Sequence, residues 1–391
     1  MTAQEASLVD RSGRRYPADQ PRWRGDDGSP LVLEPLPGIG RAQIDTAVNS
    51  QWRYRAALPS PLAHIEPVTL GEGRTPLITR TFDGIDVGLK VESMNPTGSF
   101  KDRGVGVMVT ALRHQGIERA LEDSSGNGGS SVAAYCAAAG IEAHILVPAA
   151  TSPNKIVQSR WHGAHIELVA GIRQDVADEA VRRAETTFYA SHNWHPYFLQ
   201  GIKLIAYEIW EDLGFRAPTV VLVPAGAGSL VLGCAIGFGE LHRAGAIDRM
   251  PRILVSQPRN CCPLVAAVEQ GWDEVAEHQW STTVAEGTAI AKPVRDREVL
   301  QAIRDTGGTA VAVPEDELLP AVGELARSGL FVEPTSAQVL PALRRLRVAG
   351  EITADTVVAV LTGSGLKASH LLTPGHNAGA GGLQSHTAGP S

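Results

Sequence analysis

The chain has 391 residues, 43% of them hydrophobic, and 35 Lys and Arg against 42 Asp and Glu give a net charge of −7. That length can bury a large core in roughly two or three domain-sized units, while an acidic balance without a basic run argues against nucleic acid as the main partner. No window reaches the ~18 uninterrupted apolar residues of a membrane span, and the polar start Met1-Thr-Ala-Gln-Glu-Ala-Ser7 holds no signal-peptide core. A cytoplasmic protein acting on a small molecule is the expectation.

Residues 1–70 are rich in Arg, Pro, Asp and Gly, with a weak helical pattern over Arg41–Ala57, and read as an N-terminal extension. Strand-like and helix-like runs then alternate. Helices are predicted over Val105–Arg113, Val132–Ala139, Lys155–Gly163, Asp175–Phe188 and Lys203–Leu213. Strands are predicted over Ala143–Pro148, Ala164–Val169, Thr219–Pro224, Arg252–Ser256 and Thr356–Leu361, the third being apolar throughout as a central parallel strand should be. The alternation predicts an α/β protein of two doubly wound lobes with a ligand cleft between them. Thr373–Ser391, rich in Gly, Ala, His and Ser, reads as a disordered tail. The cysteines Cys136, Cys234, Cys261 and Cys262 show no C-x-x-C spacing, so no disulfide framework or metal site is expected.

Three segments carry chemistry. Glu92-Ser-Met-Asn-Pro-Thr-Gly-Ser-Phe-Lys101-Asp-Arg-Gly104 presents one lysine at the end of a Gly/Ser-rich turn entering a helix. Ser124-Ser125-Gly-Asn127-Gly128-Gly-Ser130-Ser131 is a loop bearing an asparagine, and its hydroxyls also suit a helix N-cap. Val223-Pro-Ala-Gly226-Ala227-Gly228-Ser229-Leu230 joins an apolar strand to a helix. Its backbone N–H groups form a pocket for a phosphate dianion, the plainer reading being a tight βα turn. In this order the three resemble the fold type II pyridoxal-phosphate enzymes, the group of threonine synthase, serine/threonine dehydratase and cysteine synthase.

The resemblance implies a catalytic unit over residues 71–372, with a smaller lobe, roughly 102–194, inserted in the larger and pyridoxal 5′-phosphate in the cleft. Lys101 would hold the cofactor as a Schiff base and, once displaced by substrate, act as base and acid beside Cα. Gly226, Ala227, Gly228, Ser229 and Leu230 would take the cofactor phosphate, and Asn127 its 3′-oxygen. Ser125, Gly128 and Ser130 would grip the substrate α-carboxylate. Leu361-Thr362-Gly-Ser-Gly-Leu-Lys367 resembles the T-G-x-G-L-K segment of threonine synthases and sets the Thr362 hydroxyl at the pyridine nitrogen. A neutral partner there suits elimination and replacement better than transamination. The plainer reading is a strand-to-helix turn with Lys367 at the surface.

Trp52-Arg-Tyr-Arg55, Thr69-Leu-Gly-Glu-Gly-Arg-Thr-Pro-Leu77 and Phe331-Val-Glu-Pro-Thr-Ser-Ala337 extend the resemblance to threonine synthase over about residues 15–370. The implied reaction converts O-phosphohomoserine and water to threonine and phosphate, and a homodimer is implied. Glu72 and Arg74 read equally as cleft mouth or structural turn. Tyr16–Leu31 lacks the cysteine pairs of many relatives, so no zinc is expected. His195-Pro-Tyr-Phe198-Leu-Gln-Gly-Ile-Lys203 aligns with the family's N-P-y-R-l-E-G-Q-K, so Phe198 replaces an arginine that pairs with substrate phosphate, which is not conservative. Lys155, Arg160 and Lys203 are the alternative phosphate contacts, and His195 is a candidate substrate contact. Gly128 stands where a threonine is usual. Three readings follow: a threonine synthase-like enzyme; β-elimination or β-replacement on serine, threonine or an O-activated serine; and a non-catalytic ligand-binding relative.

Overall fold

The computed structural model describes residues 6–353 and 356–372, so the stretch expected as a tail lies outside the described residues. Strands β1 (Ser7–Val9), β2 (Arg15–Pro17) and β3 (Val32–Leu33) form a small antiparallel sheet in the order β2-β1-β3. It is fastened to the body of the protein: Arg11 clamps the Glu298 carboxylate at 2.8 and 2.9 Å, and Leu8, Tyr16 and Leu31 are buried in the main core. The helix expected over 41–57 is instead two 3-10 turns, Arg41–Gln43 and Gln51–Ala57. Buried Glu72 draws the second turn inward, accepting from the Trp52 indole at 2.7 Å, the Gln51 amide at 3.2 Å and the Tyr135 hydroxyl at 2.9 Å. Glu72 is therefore a structural anchor.

Strands β4 (Leu77–Phe82) and β5 (Ile85–Val91) form a hairpin. Its turn is Asp83-Gly84, with φ of 49° and 76°, the positive values a two-residue hairpin needs and that Asp-Gly tolerates. The chain then builds the smaller lobe: α1 (Lys101–His114), β6 (Arg119–Glu122), α2 (Asn127–Ala139), β7 (Glu142–Pro148), α3 (Pro153–Trp161), β8 (His165–Val169), α4 (Arg173–Arg183) and β9 (Phe188–Tyr189). Its sheet is parallel, in the order β8-β7-β6-β9. The helix predicted through Phe188 ends at Arg183 because β-branched Thr186 and Thr187 lead straight into β9.

Helices α5 (Pro196–Ile202) and α6 (Leu204–Asp212) return the chain to the larger lobe, followed by β10 (Val220–Pro224), α7 (Ser229–Arg243), β11 (Arg252–Pro258), β12 (Thr309–Val313) and β13 (Val357–Leu361). With β4 and β5 these strands make a six-stranded sheet in the order β12-β11-β10-β13-β5-β4, parallel except for β4. Every residue of β10 and β13 is buried. These are central strands covered on both faces, where each Val or Leu contributes about 1.5–3 kcal/mol.

Below the cleft, fully buried Arg103 donates to Glu92 at 2.6 and 2.7 Å and to Glu208 at 2.8 and 3.1 Å, while Lys90 pairs with Glu208 at 2.6 Å and Asp212 at 2.7 Å. Removing one member of such a network costs about 3–5 kcal/mol. It locks the first turn of α1 to the end of β5. β5, β6, β10 and β13 all deliver their carboxyl ends to the space between the lobes, where ligand-binding loops of open α/β sheets belong.

Candidate active site

Those strand ends enclose a cavity of about 370 Å³. Lys101, Ser125, Asn127, Gly128, Gly226, Ala227, Gly228, Ser229, Leu230 and Thr362, which lie far apart in the chain, all line it. Lys101 opens α1 at the cleft floor, its ammonium 4.6 Å from the centroid of the Phe100 ring and 5.4 Å from that of Phe198. Burial lowers the amine from 10.5 to about 8; Glu122 and Glu333 oppose the shift and Arg173 adds to it. The floor is tied to the exit segment by the Phe100 amide, which donates to the Thr362 carbonyl at 2.9 Å.

The turn after β10 leads directly into a long helix at the cleft wall. Gly228, at φ 82°, is the residue before α7, and a Cβ there would lie 2.3 Å from Val299 Cγ2. Only glycine fits. The turn therefore presents backbone amides and the N-terminus of a 15-residue helix to the cleft. With an amine of lowered pKa opposite, this donor set fits pyridoxal phosphate: a base-ready lysine for the aldehyde, and an uncharged amide cradle for a phosphate.

Asn127, expected in a loop, is the first residue of α2, and its amide donates to Glu333 at 3.1 and 3.2 Å. Burial raises the Glu333 carboxyl to about 7. The Thr362 hydroxyl lies 2.9 Å from the Ser336 hydroxyl, which itself accepts from the Gly363 amide at 2.7 Å. A neutral side chain at 362 is thus held in place by a second neutral one.

Other sequence candidates stand elsewhere. The Ser130 hydroxyl accepts from Lys367 Nζ at 2.8 Å and lies outside the cavity lining. Lys367 is no surface residue: it also donates to the Thr97 carbonyl at 2.9 Å and Gln158 Oε1 at 2.7 Å, stitching the exit segment to the smaller lobe. His195, predicted as a substrate contact, caps α5 instead, its Nδ1 accepting from the Tyr197 amide at 3.3 Å. Its ring is packed against Phe188 and Tyr197 away from the lining, and burial with nearby Arg295 lowers it to about 3. Lys203 is buried against Glu240 at 2.6 Å, and Arg160 is exposed on α3 outside the lining. Lys155 does line the cleft and reaches Glu286 of the larger lobe at 2.8 Å.

The fold adds groups that sequence reasoning missed: Glu122, His192, Arg173, Glu333 and Ser336. His192 and Arg173 line the cavity. Nδ1 of His192 lies 3.1 and 3.2 Å from the Glu122 carboxylate. Glu333 alone carried a signal, since it sits inside the F-V-E-P motif. Phe198 is completely buried, its ring against Lys101 and, edge-on, against His192.

Comparison with known proteins agrees with this geometry. Residues 68–363 match the family described as pyridoxal-phosphate dependent enzyme. The chain is 36% identical to threonine synthase of Methanosarcina acetivorans, over 84% of this chain and 83% of the relative. It is equally 36% identical to threonine synthase of Mycobacterium tuberculosis, over 85% and 89%. Among solved structures, a threonine deaminase from T.th. superposes with a TM-score of 0.64 at 26% identity, covering 74% of this chain and 92% of that one. An L-serine ammonia-lyase from Rhizomucor miehei, at TM-score 0.66 and 22% identity over 76% and 95%, shares the fold. Among the described residues no helix is long and apolar enough to cross a membrane. A cleft floored by a lysine, a glycine turn heading a long helix and relatives matched along most of the chain make this protein a threonine synthase-like member of the pyridoxal-phosphate dependent enzyme family.

Proposed function

We propose that this chain is a lyase of the threonine synthase type, taking O-phosphohomoserine and water to L-threonine and inorganic phosphate. The observation that carries the reading is the meeting of Lys101, Asn127, the 226–229 turn and Thr362 in one cleft. Pyridoxal phosphate, when bound, supplies an electron sink for charge developing at Cα. Lys101 would hold it and then, as an amine that is neutral above about pH 8, move protons at Cα. Gly226, Ala227, Gly228, Ser229 and Leu230 would hold the phosphate, and Asn127 and Thr362 would orient the ring. Ser125 and Gly128 would receive the substrate carboxylate, while Arg173 and Lys155 at the rim offer cations to a phosphorylated side chain. A cytoplasmic homodimer goes with this reading, and light scattering of the purified protein checks the dimer.

The test is incubation of the cofactor-loaded enzyme with O-phosphohomoserine, with phosphate and threonine quantified from the same tube. Equal release of both at catalytic rates supports the reading; a loaded enzyme that leaves the substrate intact rejects it. A second reading, β-elimination or β-replacement on serine, threonine or an O-activated serine, is favoured by Phe198, which puts an apolar ring where an arginine would pair with phosphate. Formation of a 2-oxo acid from serine or threonine without phosphate release identifies it.

A further inference from the structure

Gly128 and His192 compete for one space. A Cβ on Gly128 would lie 2.6 Å from Nδ1 and Cε1 of the His192 imidazole and 3.1 Å from its Nε2. The hydroxyl-bearing threonine that the resemblance sets after the loop asparagine has no room here, and the imidazole stands in its volume. The ring is tightly held: it is 6% exposed, meets Phe198 edge-on at a centroid distance of 5.6 Å, and keeps Nδ1 at 3.1 and 3.2 Å from Glu122.

The partners of Glu122 favour one tautomer. Oε1 also accepts the Asp123 amide at 2.9 Å and Oε2 the His192 amide at 3.1 Å. Burial raises this carboxyl, and the amide donors oppose the shift. Backbone N–H donors at both oxygens favour the carboxylate form of Glu122, for which Nδ1 of His192 is the donor. Burial and the neighbouring Lys101 ammonium hold the imidazole well below its ordinary pKa, so the ring is neutral. Nε2 is then a bare acceptor. It makes no hydrogen bond among the described residues, and His192 lines the cleft with Lys101.

We propose that His192 Nε2 accepts a hydrogen bond from a hydroxyl oxygen at the substrate's β-carbon, either the water that adds there or the β-hydroxyl of a bound amino acid. The Gly128–His192 pair thereby sets a preference for β-hydroxy amino acids. A phosphate dianion also only accepts, so this nitrogen reads the hydroxyl and leaves phosphate to the rim cations. The inference rests on the cofactor-dependent function proposed above and holds for either of its reactions.

The test uses enzyme whose visible absorbance shows it to be loaded, titrated calorimetrically with L-threonine and with L-α-aminobutyrate, which lacks only the β-hydroxyl. Wild type is expected to hold threonine about threefold to tenfold tighter. His192→Phe should lose that preference while binding α-aminobutyrate like wild type. Gly128→Ala displaces the ring and, lying where the substrate carboxylate is received, should weaken both amino acids alike while losing the preference, and it serves if His192→Phe misfolds. Equal affinities in the wild type, or a preference unchanged in a folded variant, overturn the proposal alone. Loaded enzyme that binds neither amino acid overturns the proposed function as well.

Discussion

The amide of Asn127 donates to both oxygens of Glu333, at 3.1 and 3.2 Å, joining the first residue of α2 to the opposite wall of the cleft. Burial lifts this carboxyl from 4.5 to about 7, against the pull of Asn127, Lys367 and Lys101. The native state therefore holds the proton more tightly than the unfolded chain. The group's contribution to stability is complete below pH 4.5 and is lost as pH rises through about 7. Glu333→Gln should gain on wild type by on the order of 2 kcal/mol between about pH 5 and 7.5, read from urea midpoints. Parallel pH curves for the two proteins would contradict this.

Cofactor uptake should report the Lys101 amine. Only the unprotonated form attacks an aldehyde, so reconstitution of the cofactor-free protein should slow about tenfold per pH unit below the pKa of about 8 and level off above it. A bend near the ordinary value of 10.5 would show that burial does not act on this lysine. Lys101→Ala should abolish the visible absorbance and lower turnover by at least about a thousandfold.

Gly228 and Gly245 separate backbone strain from crowding. Both have positive φ, 82° and 66°, but a Cβ at 245 meets nothing within 4 Å whereas one at 228 meets Val299 at 2.3 Å. Gly245→Ala should cost about 1 kcal/mol. Gly228→Ala should cost about 1–3 kcal/mol more and weaken cofactor binding, as equilibrium unfolding and cofactor titration will show. Equal costs at the two sites would mean that Val299 yields freely.

The two lysines that bridge the lobes should differ sharply. Lys155 and Glu286 form a partly exposed pair at 2.8 Å, so Lys155→Ala should change stability by less than about 1 kcal/mol. Lys367 is half-buried with three partners at 2.7, 2.8 and 2.9 Å, so Lys367→Met should cost about 1–3 kcal/mol by removing the donor shared by Ser130, Gln158 and the Thr97 carbonyl. Similar losses in the two variants would contradict the distinction.

What could be read from the chain was whatever lies in contiguous segments. Lys101, the 226–229 turn and Thr362 each sit in a short motif at the end of a strand, and the apolar runs of β10, β11 and β13 announced the parallel sheet. The Asp83-Gly84 turn carries a hairpin signal of the same local kind, though β4 and β5 were not anticipated. Groups assembled by tertiary contact left no such trace: Glu122 meets His192 from 70 residues away, and Ser336 meets Thr362 from 26. Three positions separate His192, before α5, from His195, the candidate substrate contact that is its N-cap. The first faces the cleft and the second faces Tyr197.

The strand order also governs how the molecule comes into being. β13 lies between β10 and β5, pairing Leu361 with Val91 and Val220 with Val357, although it is made more than 250 residues after β5 and more than 130 after β10. Until residues 357–361 have left the ribosome, the larger sheet has a gap at its centre and two strands face each other across an empty slot. Contacts of such long sequence separation form late and slowly. The lysine-bearing segment and the glycine turn after β10 thus share a cleft only through a strand made near the end of synthesis, and a chain truncated before residue 357 should fail to load pyridoxal phosphate.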